Sequence, residues 1–256
     1  EVYPEILEGT SGKYMNWETV DPEKWVPHGY ACIRIDSRGA GNSEGCIDFW
    51  SKKEAHDLYE CIEWAAAQPW SSGKVGLLGI SYYGINQWAA AALQPPHLAA
   101  ICPFEGCNDS YRDMARHGGI LCDFVPLWQP VQVSIVQYGL GSRGKVSRIN
   151  GMRVSGDIDL PDEELAANSV NVKEEFLQHE LNDEYYMNRT TDLSKVTVPV
   201  LSCGNWGGNA LHLRGNVEGF LRAGSKEKFL EIHGLEHFTE FYTDYGREMQ
   251  KAFFDH

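Results

Sequence analysis

Lys74-Val-Gly-Leu-Leu-Gly-Ile-Ser-Tyr-Tyr-Gly84 joins a short apolar run to a serine set between two glycines, with alanine-rich text directly after it. In order, this reads as a buried strand, a sharp turn and a helix start, the pattern of a nucleophile elbow. Such a turn is strained. It lifts the Ser81 hydroxyl out of the sheet, small flanking residues relieve crowding, and the backbone N–H of Tyr82 faces a developing oxyanion. Gly79-Ile-Ser-Tyr-Tyr-Gly84 carries one residue more than the common G-x-S-x-G spacing, with Tyr83 in the added place. A glycine- and serine-rich turn without chemistry is the plainer alternative.

Outward from the elbow, Ala55, Leu58, Tyr59, Ile62, Ala65 and Ala66 recur at helical spacing between Ser51 and Gln68, and Pro69 and Gly73 mark the exit. Tyr83 to Leu93 continues as a helix that Pro95-Pro96 stops, and Leu98 to Phe104 follows as a strand. Earlier, Tyr30 to Asp36 reads as the first strand, running into the glycine-rich loop 37–45, where Asp36 and Arg38 are placed to brace the turn. The text from Glu1 to His28 is polar and broken by Pro and Gly. Later, Val196 to Cys203 and Lys228 to His233 read as strands, and Leu211 to Ala223 and Phe241 to Phe254 as helices. Strand and helix alternating with short connections predict an α/β fold with a mostly parallel sheet covered on both faces. Residues 1–107 and 196–256 form the core in this reading. Residues 108–195, with weak periodicity, Pro126, Pro130 and a glycine-rich stretch, form an inserted, largely helical cap. Its aromatics, Phe124 and Trp128 among them, are placed to line a substrate pocket or to fill a small core of the cap's own. Repeats and low-complexity tracts are absent from the sequence.

Composition narrows the function classes. The chain has 256 residues, 43% of them hydrophobic, enough for a full core, and a net charge of −14 without any basic run. Nucleic acids and anionic membranes are therefore poor partners, and no apolar run reaches the length of a membrane span. Seven cysteines without C-x-x-C spacing read as reduced packing residues, which places the protein in the cytoplasm. The chain starts at Glu1 rather than Met, so a removed segment ahead of it could have carried a signal. His28, His56, His97, His117, His179, His212 and His233 show no ligand spacing, so neither a metal nor another cofactor is expected.

Four stretches together carry a family resemblance: Asp36-Ser-Arg-Gly-Ala-Gly-Asn-Ser-Glu-Gly45, Glu63-Trp-Ala-Ala-Ala-Gln-Pro-Trp70, the elbow, and Asp109-Ser-Tyr-Arg-Asp113 followed by Gly118-Gly119. They resemble the cocaine-esterase/X-prolyl-peptidase (CocE/NonD) group of serine hydrolases, from about Pro22 to the C-terminus and least in the cap. The resemblance implies an α/β-hydrolase core with a cap, an elbow of the form G-x-S-Y-x-G, Ser81 as nucleophile, the Tyr82 N–H as an oxyanion donor and His237 as general base. A base after the last strand is also what the usual chain order of nucleophile, acid and base requires.

Two departures from the family pattern stand out. Its members have strands ahead of the one at Tyr30 and a Pro-Tyr-Gly turn that completes the oxyanion hole; this chain has neither, so further N-terminal strands, or a partner chain or second copy supplying them, are expected to cover the exposed sheet edge. The acid position that the family pattern places in the loop after Val198 to Cys203 falls on Gly208 in Gly204-Asn-Trp-Gly-Gly-Asn209, which leaves Asn205 and Asn209 as candidates to orient His237, or a carboxylate from elsewhere such as Glu236, Glu240 or Asp109. The function expected is hydrolysis of a small-molecule ester or amide through an acyl-enzyme, with Tyr83, Trp206, Trp128 and Phe124 near the substrate. A silent binding protein of the same fold, and an acyl-transfer or ring-closing enzyme using the same serine, are the alternatives.

Overall fold

The computed structural model describes residues 4–208 and 211–256. Four strands, β1 (Val75–Ile80), β2 (Leu98–Phe104), β3 (Val200–Asn205) and β4 (Lys228–His233), form one parallel sheet in chain order. Parallel neighbours need crossovers, and helices supply them. Helix α1 (Lys52–Ala66) precedes β1, α2 (Tyr82–Ala92) joins β1 to β2, α3 (Leu213–Arg222) joins β3 to β4, and α4 (Asp244–Asp255) follows β4.

Both faces of the sheet are packed. Ile62 of α1 and Trp88 of α2 meet Ile101 and Val200 in one cluster, whereas Ile80, Phe104 and Leu201 meet Phe241 and Tyr242 in another. Strand β3 is buried at every position, as a central strand covered on both sides must be. Trp88 is fully buried, donates its indole N–H to the Gly106 carbonyl at 2.9 Å and lies so close to Gly219 that a Cβ there would sit 2.5 Å from the indole. Residues with side chains are excluded from that point of α3.

Several boundaries differ from the sequence reading, for local reasons. Strand β3 begins at Val200 because Pro199 lacks a donor for the ladder. The closing helix is two pieces, Thr239–Tyr242 and α4, divided at Thr243, whose hydroxyl caps the Gly246 N–H at 3.0 Å. The stretch expected as the first strand, Tyr30 to Asp36, has no regular secondary structure and belongs to no ladder among the described residues. Extended backbone becomes a strand only when a neighbour offers donors and acceptors. At the C-terminal end of β1, the Ile80 N–H is taken by the carbonyl of Glu18 at 3.1 Å.

Residues 108–195 leave the end of β2 and return at β3, its direct neighbour in the sheet. They hold short helices, among them Phe124–Trp128, Asp162–Ala167 and Val172–Gln178, and a two-stranded hairpin pairing Arg116–His117 with Ile120–Leu121. Met114, Val125, Val172, Phe176 and Tyr186 from this segment share one buried cluster with Ile47, Phe49 and Ile85. The packing is continuous across residue 107.

Candidate active site

Ser81 sits between β1 and α2 with φ 58° and ψ −113°, a conformation that costs a non-glycine residue about 1–3 kcal/mol and needs support from its surroundings. Backbone bonds on both sides of the residue give it. The Ser81 N–H donates to the Phe104 carbonyl at 3.0 Å, and the Ile85 N–H donates to the Ser81 carbonyl at 2.8 Å. A Cβ at Gly79 would lie 2.5 Å from the Tyr83 Cβ, and one at Gly84 would lie 2.4 Å from the Phe104 carbonyl oxygen. The second glycine thus falls three residues after the serine because that position of α2 presses on the end of β2. The Tyr82 N–H, in the first turn of α2, has no intrahelical acceptor and is free by geometry to meet an anion.

The imidazole in reach of Ser81 is His212, with Nε2 3.3 Å from Oγ. Sequence reasoning passed over His212 because Leu211-His212-Leu213 reads as the first turn of a helix. In fact it stands just before α3, at the carboxyl end of the sheet, where loops converge on the elbow. His212 is buried, its Nδ1 has no partner among the described residues, and burial together with neighbouring His237 holds its pKa well below the ordinary histidine value. The His237 ring lies against it, centroids 5.4 Å apart and planes 25° from parallel. His237 itself meets Glu18, Nε2 to Oε1, at 2.9 Å. The four side chains form a continuous series from Ser81 through His212 and His237 to Glu18.

The space in front of Gly208, where the family pattern would put an acid, is filled by Glu105. A Cβ on Gly208 would come within 3.1 Å of Glu105 Oε2. Glu105, the first residue after β2, is fully buried at φ 48°, and its other oxygen lies 3.2 Å from His233 Nε2, while His233 Nδ1 lies 2.7 Å from Glu231. Burial alone pulls the His233 imidazole down, but the Glu105 and Glu231 carboxylates outweigh it and push its pKa up to about 9.

Asn205, a candidate orienter, spends its side chain on backbone: Nδ2 donates to the Gly234 and Leu235 carbonyls at 3.1 and 2.9 Å, and Oδ1 accepts from the Gly207 N–H at 2.5 Å. It anchors the loop that carries His237 rather than the ring. Asn209 lies outside the described residues. Asp109 is committed to Arg112, accepting from its N–H and its guanidinium at 2.8 Å each.

Of the expected pocket aromatics, Tyr83 belongs to the elbow itself, and Trp128 reaches it from the inserted segment, stacked on Trp50 at 5.5 Å and tilted toward Tyr82 at 6.1 Å. The Tyr82 hydroxyl donates to Glu54, whose carboxyl burial pushes up to about 7 despite that bond. Tyr83 and Phe124 are each about two-fifths exposed, and Trp206 faces solvent. No group of His, Cys, Asp and Glu among the described residues has metal-binding geometry, and no described helix is long and apolar enough to cross a membrane.

Residues 5–239 match the family described as X-Pro dipeptidyl-peptidase (S15 family). A putative serine esterase of Mycobacterium bovis is 38% identical over 98 residues, which are 38% of this chain and 16% of that protein. The cocaine esterase of a Rhodococcus species is likewise 38% identical, over 89 residues, 35% of this chain and 15% of that protein. The crystal structure of a CocE/NonD family hydrolase from Staphylococcus aureus superposes with a TM-score of 0.79 at 35% identity, covering 94% of this chain and 39% of that one. The chain thus spans well under half the length of these relatives. With the elbow and the parallel sheet in place, it belongs to the X-Pro dipeptidyl-peptidase (S15) family, among the CocE/NonD α/β-hydrolases.

Proposed function

We propose that the chain carries the nucleophile and base of a serine hydrolase acting on a small-molecule ester or amide. The observation that carries this reading is Ser81 held at φ 58° on an elbow with its hydroxyl 3.3 Å from a buried imidazole nitrogen. Ser81 Oγ attacks the carbonyl carbon while its proton passes to an imidazole. The Tyr82 N–H receives the oxyanion; the tetrahedral adduct collapses, and the protonated imidazole returns the proton to the departing alcohol or amine. Water then repeats the sequence on the acyl-serine.

His237 is the base in this reading. A general base must hold a full positive charge in passing, and burial opposes that charge on His212, which has no carboxylate beside it. His237 has Glu18. Catalytic contacts often close only when substrate is bound, so the resting Ser81 to His212 bond is compatible with this assignment. That same bond favours a second reading, with His212 as the base. Turnover of p-nitrophenyl butyrate separates them. His237→Gln lowers kcat by about 100-fold or more if His237 is the base, whereas His212→Gln lowers it by less. The reverse order assigns the role to His212, and activity surviving Ser81→Ala rejects the site altogether. Trp50, Tyr82 and Trp128 offer an apolar wall for the acyl or leaving group.

A further inference from the structure

We infer that Glu18 is the positioning carboxylate of this site, supplied from the N-terminal segment in place of the acid that Gly208 cannot provide. The inference rests on the assignment of Ser81 and His237 above. Glu18 Oε1 is the carboxylate oxygen at His237, 2.9 Å from Nε2, and the residue is 8% exposed.

The placement is fixed from several sides. Glu18 lies at φ 58°, unusual for a glutamate, and its own carbonyl receives the Ile80 N–H at 3.1 Å, one residue before the nucleophile. Next to it, the Thr19 carbonyl accepts from the Tyr242 hydroxyl at 2.9 Å. On the other side Trp17 meets Phe238 edge-on, ring centroids 4.8 Å apart. Residues 17–19 are thus clamped between the elbow strand and the loop that presents His237, and Trp17 and Glu18 pair in turn with Phe238 and His237. A strained backbone conformation persists where the surroundings over-determine it, and such sites gather around functional groups.

The carboxylate at the Gly208 position is engaged elsewhere. Glu105 fills the space in front of Gly208 and faces His233, which also holds Glu231. Besides His237, the groups whose charge couples to Glu18 are Tyr83 and Tyr242, both phenols raised first by burial and then by its charge, while Arg34 acts on them in the opposite sense. A carboxylate on Nε2 keeps the proton on that nitrogen and leaves Nδ1 with the free lone pair. It also stabilises the ring once it is doubly protonated, as the third member of a triad does.

The test uses the full chain with 15N-labelled histidine, alongside kinetics on p-nitrophenyl butyrate. In the unaltered protein His237 should show the Nε2-protonated tautomer; a neutral ring protonated on Nδ1 overturns the inference without any variant. Glu18→Gln should mix the tautomers and lower kcat by roughly 100-fold with little change in KM, and Glu18→Asp should recover part of that loss. If Glu105→Gln shifts the His237 tautomer and Glu18→Gln does not, Glu105 is the positioning residue and the inference fails. Failure of the underlying reading looks different: a fluorophosphonate then leaves Ser81 of the unaltered protein unlabelled, or His212→Gln lowers kcat more than His237→Gln, whatever residue 18 is.

Discussion

The Ser81 amide donates to the carbonyl of Phe104 across 3.0 Å, so the turn that presents the nucleophile is tied to the neighbouring strand as well as to its own helix. Ile80 and Phe104 are register partners, which makes Ser81 and Glu105 leave β1 and β2 side by side. Both have positive φ. The carboxyl edge of the sheet is where the chain departs from regular backbone, and all the candidate chemistry gathers there.

Gly84→Ala tests that junction. The added methyl would lie 2.4 Å from the Phe104 carbonyl oxygen, a backbone atom that cannot move without disturbing the Ser81 bond. A loss of about 1–3 kcal/mol in urea unfolding is expected, with a fall in activity at temperatures where the variant is still folded. Unchanged stability would mean that α2 does not press on β2 as described.

The elbow, all four strands and most of the core helices were legible in the sequence because each follows from a local pattern: an apolar run, a helical period, a proline stop. The turn of Ser81 belongs to that class, whereas His237 was singled out by the family resemblance and by its place after the last strand. Glu18 was not legible, since it lies in a polar stretch broken by Gly and Pro, and its meaning depends on a partner 219 residues away. His212 read as part of a helix and proved to precede it. Glu105 follows an apolar strand without any flanking signal, so nothing local shows that it fills the space at Gly208. Tyr30 to Asp36 has the composition of a strand, but strand formation is decided by a neighbour and not by composition.

Gly208→Asp separates an empty acid position from an occupied one. The new carboxyl would be directed at Glu105 Oε2, 3.1 Å from its Cβ, and two carboxylates at that range in a buried site cannot both ionise without cost. The variant should therefore lose stability, by about 1–3 kcal/mol, and gain no turnover. A rise in kcat would show that the position is still open to a triad acid.

His233 gives the fold a pH dependence with a defined sign. Its imidazole has a pKa of about 9 in the fold against an ordinary 6.5, so its pairing with Glu105 and Glu231 contributes stability that is complete below about 6.5 and is lost as pH rises through about 9. Between those limits Tm should fall more steeply for the unaltered protein than for His233→Gln. Parallel curves would mean that the imidazole is neutral in the fold.

The most direct test of the account is where a fluorophosphonate reacts. Incubation of the chain with the probe, followed by digestion and mass spectrometry, should place a single adduct on Ser81 within Lys74 to Gly84, and Ser81→Ala should abolish it. An adduct on another residue, or a folded protein that takes up no probe, would contradict the claim that this elbow carries an active nucleophile and would leave a hydrolase fold used for binding.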